Sequence, residues 1–237
     1  MRAVIGKKEE IAKLTCYAEF DLQGEEVDFT PGQYFFVTLK PNDEEHKDEL
    51  THHFSIVNSP NQKGVLVLTT RLRLDESLFK RTINDAKVGD EVEIGKIAGE
   101  FILPDDTGKP IVLIALGIGI TPYRSMLRWA MEENKPYKFT VFYSDDNKES
   151  MAFLDELQQM EKDHDNLKLV CIITKDESWQ GEKRHVDGEL LKDYLDDINK
   201  YLYYISGPPK AVTAVAENLK QAQIPDDNIK TDSFSGY

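Results

Sequence analysis

The fold is decided by the stretch Ile111-Val112-Leu113-Ile114-Ala115-Leu116-Gly117-Ile118-Gly119-Ile120-Thr121-Pro122. Residues 111–116 form a near-continuous apolar run, the pattern of a parallel strand buried on both faces. Two glycines follow, then a threonine and a proline that open a helix. Glycine lets the backbone turn tightly and approach a pyrophosphate closely. The helix N-terminus adds unpaired N–H groups and the positive end of its dipole. Pro122 falls where a missing N–H removes no helical bond, and Thr121 either caps the helix or bonds a phosphate oxygen. The alternative is a plain strand–turn–helix connection that holds nothing.

Downstream of this stretch, strands and helices alternate. The pattern predicts helices over 121–133, 149–162, 188–199 and 208–223, and strands over 137–143, 167–174, 202–206 and 229–232. Such alternation implies a doubly wound parallel sheet with right-handed crossovers. A second turn, Ser206-Gly207-Pro208-Pro209, repeats the order of strand, small residues and helix. It falls at the strand end where ligands of these sheets bind, although a helix opened by proline would read the same way.

Upstream the pattern changes. Short β runs at 14–20, 34–39, 54–57, 65–70 and 91–94 are separated by turn residues, with a helix over 76–86. Many short strands at this spacing predict an antiparallel β-barrel or sandwich. The polar Pro/Gly segment 104–110 separates the halves, giving domains of 1–106 and 107–237, and the acidic stretch 42–49 reads as a solvated loop.

Composition narrows the functional classes. The chain has 237 residues, 40% hydrophobic and 30% charged, which suits a globular protein with a sizeable core. A formal net charge of −14 argues against nucleic acid or an anionic membrane as the main partner. No apolar run approaches the ~20 residues of a membrane helix. Residues 1–8 lack the apolar stretch of a signal peptide, so a cytoplasmic location is expected. The two cysteines, Cys16 and Cys171, lie in apolar runs and read as reduced, buried thiols. They are too few for a plant-type iron–sulfur cluster, which takes four, and redox chemistry would require an organic cofactor.

Taken in order, these segments resemble the ferredoxin–NADP⁺ reductase superfamily over nearly the whole chain, in the bacterial single-chain type without an iron–sulfur domain. The family's Arg-x-Tyr-Ser motif is matched by His52-His53-Phe54-Ser55, followed by Ile56. Its next basic-ended strand is matched by Thr69-Thr70-Arg71, and its serine at a helix start by Glu76-Ser77-Leu78. Gly117 to Pro122 match its nicotinamide-dinucleotide turn, and Ser206-Gly207-Pro208 its Cys-Gly-Pro turn. The terminal Tyr237 resembles the aromatic that covers the flavin ring in some members.

The resemblance implies an FAD-binding barrel, an NAD(P)-binding α/β domain and hydride transfer from NADH or NADPH to FAD N5. Ser55 would bond N5, Phe54 would pack on the ring or ribityl chain, and Arg71 with the N–H groups at Ser77 would hold the pyrophosphate. Ser206 would stand near the nicotinamide, and Tyr237 would stack on the isoalloxazine. His52 departs from the family's arginine, and is mostly neutral near pH 7 with an ordinary pKa of about 6.5. Either bound phosphates hold it protonated or Arg71 carries that load. Phe54 lacks the tyrosine hydroxyl.

After the second parallel strand, Ser144 is kept, but Asp146 stands where NADPH-specific members carry an arginine. A carboxylate repels a 2′-phosphate and accepts from a ribose hydroxyl, so NADH is favoured unless Lys148 or Arg184 supplies charge. The missing cluster domain implies a separate electron carrier such as ferredoxin or flavodoxin. Arg71, Arg73, Lys80, Arg81, Lys87 and Lys96 are candidates for its docking patch, or else ordinary surface charge. The competing readings are a free-flavin or ferric reductase and a non-catalytic nucleotide-binding regulatory subunit.

Overall fold

The computed structural model describes residues 1–72, 77–106 and 108–234. The chain forms two compact units. The first holds Met1–Leu103 together with Thr121–Trp129, and the second holds Pro104–Ile120 with the described residues from Ala130 onward.

In the first unit, β1 (Arg2–Ala12), β2 (Thr15–Asp21), β3 (Tyr34–Leu39), β4 (Thr51–Ser55), β5 (Val65–Arg71) and β6 (Glu91–Ala98) form an antiparallel sheet in the order β4-β3-β6-β1-β2-β5. Alternate residues point into one core. Ala18, Phe20, Phe35, Val37, Leu66, Leu68, Val92 and Ile94 are all buried there, with Phe79 from helix α1 (Leu78–Asp85). Strand β1 escapes a reading of periodicity. Only Ala3 and Ile5 in it belong to the core, and register shifts follow Ile5 and Glu10 in its pairing with β2. Each shift resets the alternation that marks a strand.

The two edge strands of this sheet are joined by a side chain. Just beyond β4, Val57 N–H donates to Val67 O (3.1 Å) on β5. Asn58, fully buried, accepts from Val67 N–H at 3.0 Å and donates to Val65 O at 3.1 Å. Its amide thus replaces the ladder where β4 has ended.

The second unit is a five-stranded parallel sheet of β7 (Ile111–Leu116), β8 (Phe139–Asp145), β9 (Leu167–Ile173), β10 (Leu202–Gly207) and β11 (Ile229–Ser233), in the order β11-β10-β7-β8-β9. Residues 111 to 115 are 0% exposed, as their unbroken apolar run demands. Helices α2 (Ile120–Glu132), α3 (Leu154–Asp163), α4 (Gly188–Tyr194) and α5 (Pro209–Gln221) connect the strands. Helix α3 starts later than expected. Residues 148–150 form a separate 3₁₀ turn, and Phe153 adopts a left-handed φ of 61° before the helix begins. The chain runs from β7 outward through β8 and β9, then returns to the other side of β7 through β10 and β11. The ends of β7 and β10 are therefore the topological switch point, where such sheets bind ligands.

At that point two turns meet backbone to backbone. A Cβ on Gly119 would lie 2.0 Å from Ser206 O, and one on Gly207, whose φ is 148°, would lie 2.6 Å from Leu116 O. Neither position can take a side chain without moving main chain.

Asn58→Ala leaves Val67 N–H and Val65 O buried without partners, and should lower unfolding free energy by about 2–4 kcal/mol in chemical denaturation. Gly119→Ala should destabilise the second unit by at least about 2 kcal/mol, read by limited proteolysis and thermal melting.

Candidate functional site

In the first unit, β4 carries the His52-His53-Phe54-Ser55 motif. Strand alternation sends His52 and Phe54 to one side and His53 and Ser55 to the other. His52 meets the Phe79 ring edge-on at 5.0 Å between centroids, and Phe54 packs on the same ring at 5.1 Å. Burial, then the neighbouring His53, pushes the His52 imidazole below its ordinary pKa. On the opposite side, His53 is exposed and stacks against Tyr34 and Phe36. Ser55 closes the strand at 8% exposure, and among the described residues its hydroxyl makes no hydrogen bond to protein.

The residues expected beside a pyrophosphate sit on β5 and at the start of α1. Thr69 and Thr70 are buried at 4% and 0% exposure, and each hydroxyl lacks a partner among the described residues. Arg71 ends β5, where its guanidinium donates to Lys13 O at 3.2 Å. Ser77 caps α1, its hydroxyl accepting from Lys80 N–H at 3.5 Å. Ile56 is fully buried. Glu76, Arg73 and Tyr237 lie outside the described residues.

In the second unit, the Gly117–Gly119 turn is a 3₁₀ turn running directly into α2, with Gly117 at a φ of 58°. Pro122 falls in the first turn of α2 and Thr121 beside it is 4% exposed; these two count with the first unit. Ser206, one residue before the end of β10, is 0% exposed, and among the described residues its hydroxyl has no hydrogen-bond partner. Gly207 and Pro208 continue from it into α5.

The edge formed by β8 and β9 holds Ser144 and Asp146. Ser144 is half-buried and Asp146 is exposed. The Asp146 carboxylate pairs with Lys175 at 2.9 Å, and Lys175 N–H also donates to Asp146 O at 2.9 Å. Arg184, the other cation considered for this edge, is held by Glu182 at 2.7 Å and Asp193 at 2.9 Å.

These features fit an organic cofactor and a dinucleotide. Buried polar groups are almost always hydrogen-bonded. Three buried hydroxyls without partners among the described residues, on Thr69, Thr70 and Ser206, stand at positions the motifs mark for ligand contacts. Among the described residues, no group of His, Cys, Asp and Glu could hold a metal ion.

The expected basic patch is corrected at one position. Lys80 does not belong to the surface: it lies on α1 and is only 3% exposed. Arg81, Lys87 and Lys96 do remain exposed. Sequence reading also passed over Asp232. In register, it is the residue of β11 beside Ser206 of β10, and burial pushes its carboxyl up to about 6. The signal was available, since an acid at the C-terminal end of a parallel strand lies on the ligand edge. Asn58, Arg124 and Ser125 were passed over too, and no local pattern marks them.

A family model for the oxidoreductase NAD-binding domain matches residues 113–217. Flavohemoprotein A of Dictyostelium discoideum is 26% identical over 224 residues, covering 87% of this chain and 52% of its own. A component of the Na⁺-translocating NADH-quinone reductase of Idiomarina loihiensis is 26% identical over 265 residues, covering 94% of this chain and 65% of its own. The chain thus spans from about half to just under two thirds of these relatives. Among solved structures, the ferredoxin–NADP⁺ reductase of Plasmodium falciparum superposes with a TM-score of 0.82 at 20% identity, covering 98% of this chain and 95% of its own, a likeness of fold. An antiparallel six-stranded unit and a parallel unit with paired glycine turns thus give the chain the fold seen in ferredoxin–NADP⁺ reductase, and residues 113–217 match the oxidoreductase NAD-binding domain.

Proposed function

We propose that this protein is an NAD(P)H-dependent flavoprotein reductase that takes hydride onto FAD beside Ser55 and passes electrons to a separate acceptor protein such as ferredoxin or flavodoxin. The observation that carries the reading is the Ser55 hydroxyl, at the end of β4 and without a partner among the described residues. Bound FAD supplies the conversion from two-electron to one-electron transfer. The chain supplies orientation and electrostatics. Ser55 would hold flavin N5 through its hydroxyl. Thr69, Thr70, Arg71 and the N–H groups at Ser77 would hold the pyrophosphate of FAD. The turn from Gly117 to Gly119 and the start of α2 would take the coenzyme phosphates, and Ser206 would orient the nicotinamide.

Asp146 and Lys175 bear on coenzyme choice. The lysine's charge is already engaged by the carboxylate, and Arg184 is engaged elsewhere. That arrangement supports NADH over NADPH, as does the name of the quinone reductase relative. A second reading draws on His52. An imidazole packed against Phe79, its pKa lowered by burial, is not the fixed cation a guanidinium offers a phosphate, and this favours a reductase using flavin as a loosely held substrate.

Anaerobic titration of purified protein with each dinucleotide tests these points together. The expected result is a yellow protein whose flavin band bleaches with NADH at far lower concentration than with NADPH. Ser55→Ala should bind flavin yet be reduced about 10–100-fold more slowly. Protein left colourless by desalting selects the loose-flavin reading, and no bleaching with either dinucleotide overturns both.

The half-buried carboxyl of Asp232 adds a pH dependence. With its pKa raised from 3.8 to about 6, folding favours its neutral form. Its contribution to stability is complete below its unfolded pKa and is lost as pH rises through about 6. Urea denaturation from pH 4 to pH 7 should show wild type losing stability relative to Asp232→Asn; parallel curves would reject the raised pKa.

A further inference from the structure

We propose that Ser125 and Arg124 are positioning residues for the Ser55 hydroxyl, an inference that rests on the reading of Ser55 as the flavin N5 contact. Ser55 is the last residue of β4, and the three residues after it have left the strand ladder. All three are fully buried, so each main-chain polar group needs a partner. The first bonds come from neighbouring chain. Ile56 N–H donates to Gln33 O at 2.9 Å, and Val57 N–H to Val67 O at 3.1 Å.

The carbonyls are met by α2. Arg124 donates from a guanidinium nitrogen to Val57 O at 3.1 Å, and the Ser125 hydroxyl donates to Asn58 O at 2.7 Å. Ser125 is 0% exposed and Arg124 only 7%. A buried guanidinium is costly to keep, and a bond from a charged donor is stronger than a neutral one. Thr121–Trp129 belongs to the same compact unit as the Ser55 segment. The two bonds tie the segment leaving Ser55 to a rigid helix, five and six residues after Gly119 of the coenzyme turn.

A catalytic hydroxyl must be held to within about 0.5 Å of its productive position. Beyond its ladder neighbour Tyr34, Ser55 gets that restraint from the three buried residues next in the chain. Removing the Ser125 hydroxyl frees the Asn58 carbonyl and lets the end of β4 relax. Flavin and coenzyme contacts made by other residues stay in place. The effect should therefore appear in the reduction step and not in binding.

The test uses flavin-loaded full-length protein in anaerobic stopped flow, with NADH and with its hydride deuterated. Ser125→Ala is expected to keep its flavin and its apparent NADH affinity within about twofold, while the limiting reduction rate falls about tenfold and the deuterium isotope effect increases. Ser125→Thr, which restores a hydroxyl, should recover most of the rate. Should Ser125→Ala not accumulate as folded protein, Arg124→Lys keeps the charge but loses the fork and is expected to show the same split. A limiting rate within about twofold of wild type, or a fall in rate matched by loss of flavin and not rescued by threonine, overturns the proposal while leaving the function of Ser55 standing. Wild type that is not reduced at all, or Ser55→Ala reduced at the wild-type rate, brings down the parent reading and this one with it.

Discussion

Two backbone turns in the parallel unit approach so closely that a single methyl group would separate them. Gly119 lies against Ser206 O, and Gly207 against Leu116 O. Everything attributed to the nucleotide half depends on that approach. It brings the turn after β7 and the turn after β10 to one place on the sheet edge, where strand order reverses. A wider gap would separate the 3₁₀ turn that opens α2 from the Ser206 hydroxyl. The glycines are thus required by crowding, and at Gly207 by its φ of 148° as well.

The antiparallel unit meets a different constraint. Its strand β4 ends at Ser55, the residue proposed to contact the flavin, and a strand end has main-chain groups with no ladder to join. Asn58 answers this with one amide that serves β5 as both donor and acceptor. Arg124 and Ser125 answer it from the helix. The result is a segment fixed on several sides while the Ser55 hydroxyl itself stays unclaimed among the described residues. A rigid support carrying an uncommitted hydroxyl is what a preorganised contact requires.

Charge is handled sparingly in both halves. Where the resembling family's motif has a fixed cation, His52 is packed on an aromatic ring, and burial lowers its pKa. The acid at the β8 edge is balanced by Lys175, and the half-buried acid beside Ser206 is shifted toward its neutral form. Hydroxyls and backbone N–H groups are left as the main means of holding ligands. Such groups suit a flavin ring and a dinucleotide better than they suit a metal ion, whose usual ligands are carboxylate, imidazole and thiolate.

Much of the fold was legible because it is written in local period. The buried run at 111–116, the alternation of strands and helices after it, and the glycine turns depend on residues a few positions apart. The His52–Ser55 motif and the helix-start serine at Ser77 were marked by resemblance to a family pattern and not by period. Strand β1 was not, because its register shifts erase the alternation. The roles of Asn58, Arg124, Ser125 and Asp232, the burial of Lys80 and the packing of His52 on Phe79 were decided by tertiary structure alone. The two helix contacts show why: 67 positions separate Arg124 from Val57 and Ser125 from Asn58. Side-chain periodicity reports which face of an element is buried. It carries no record of which distant carbonyl will lie opposite once two elements pack.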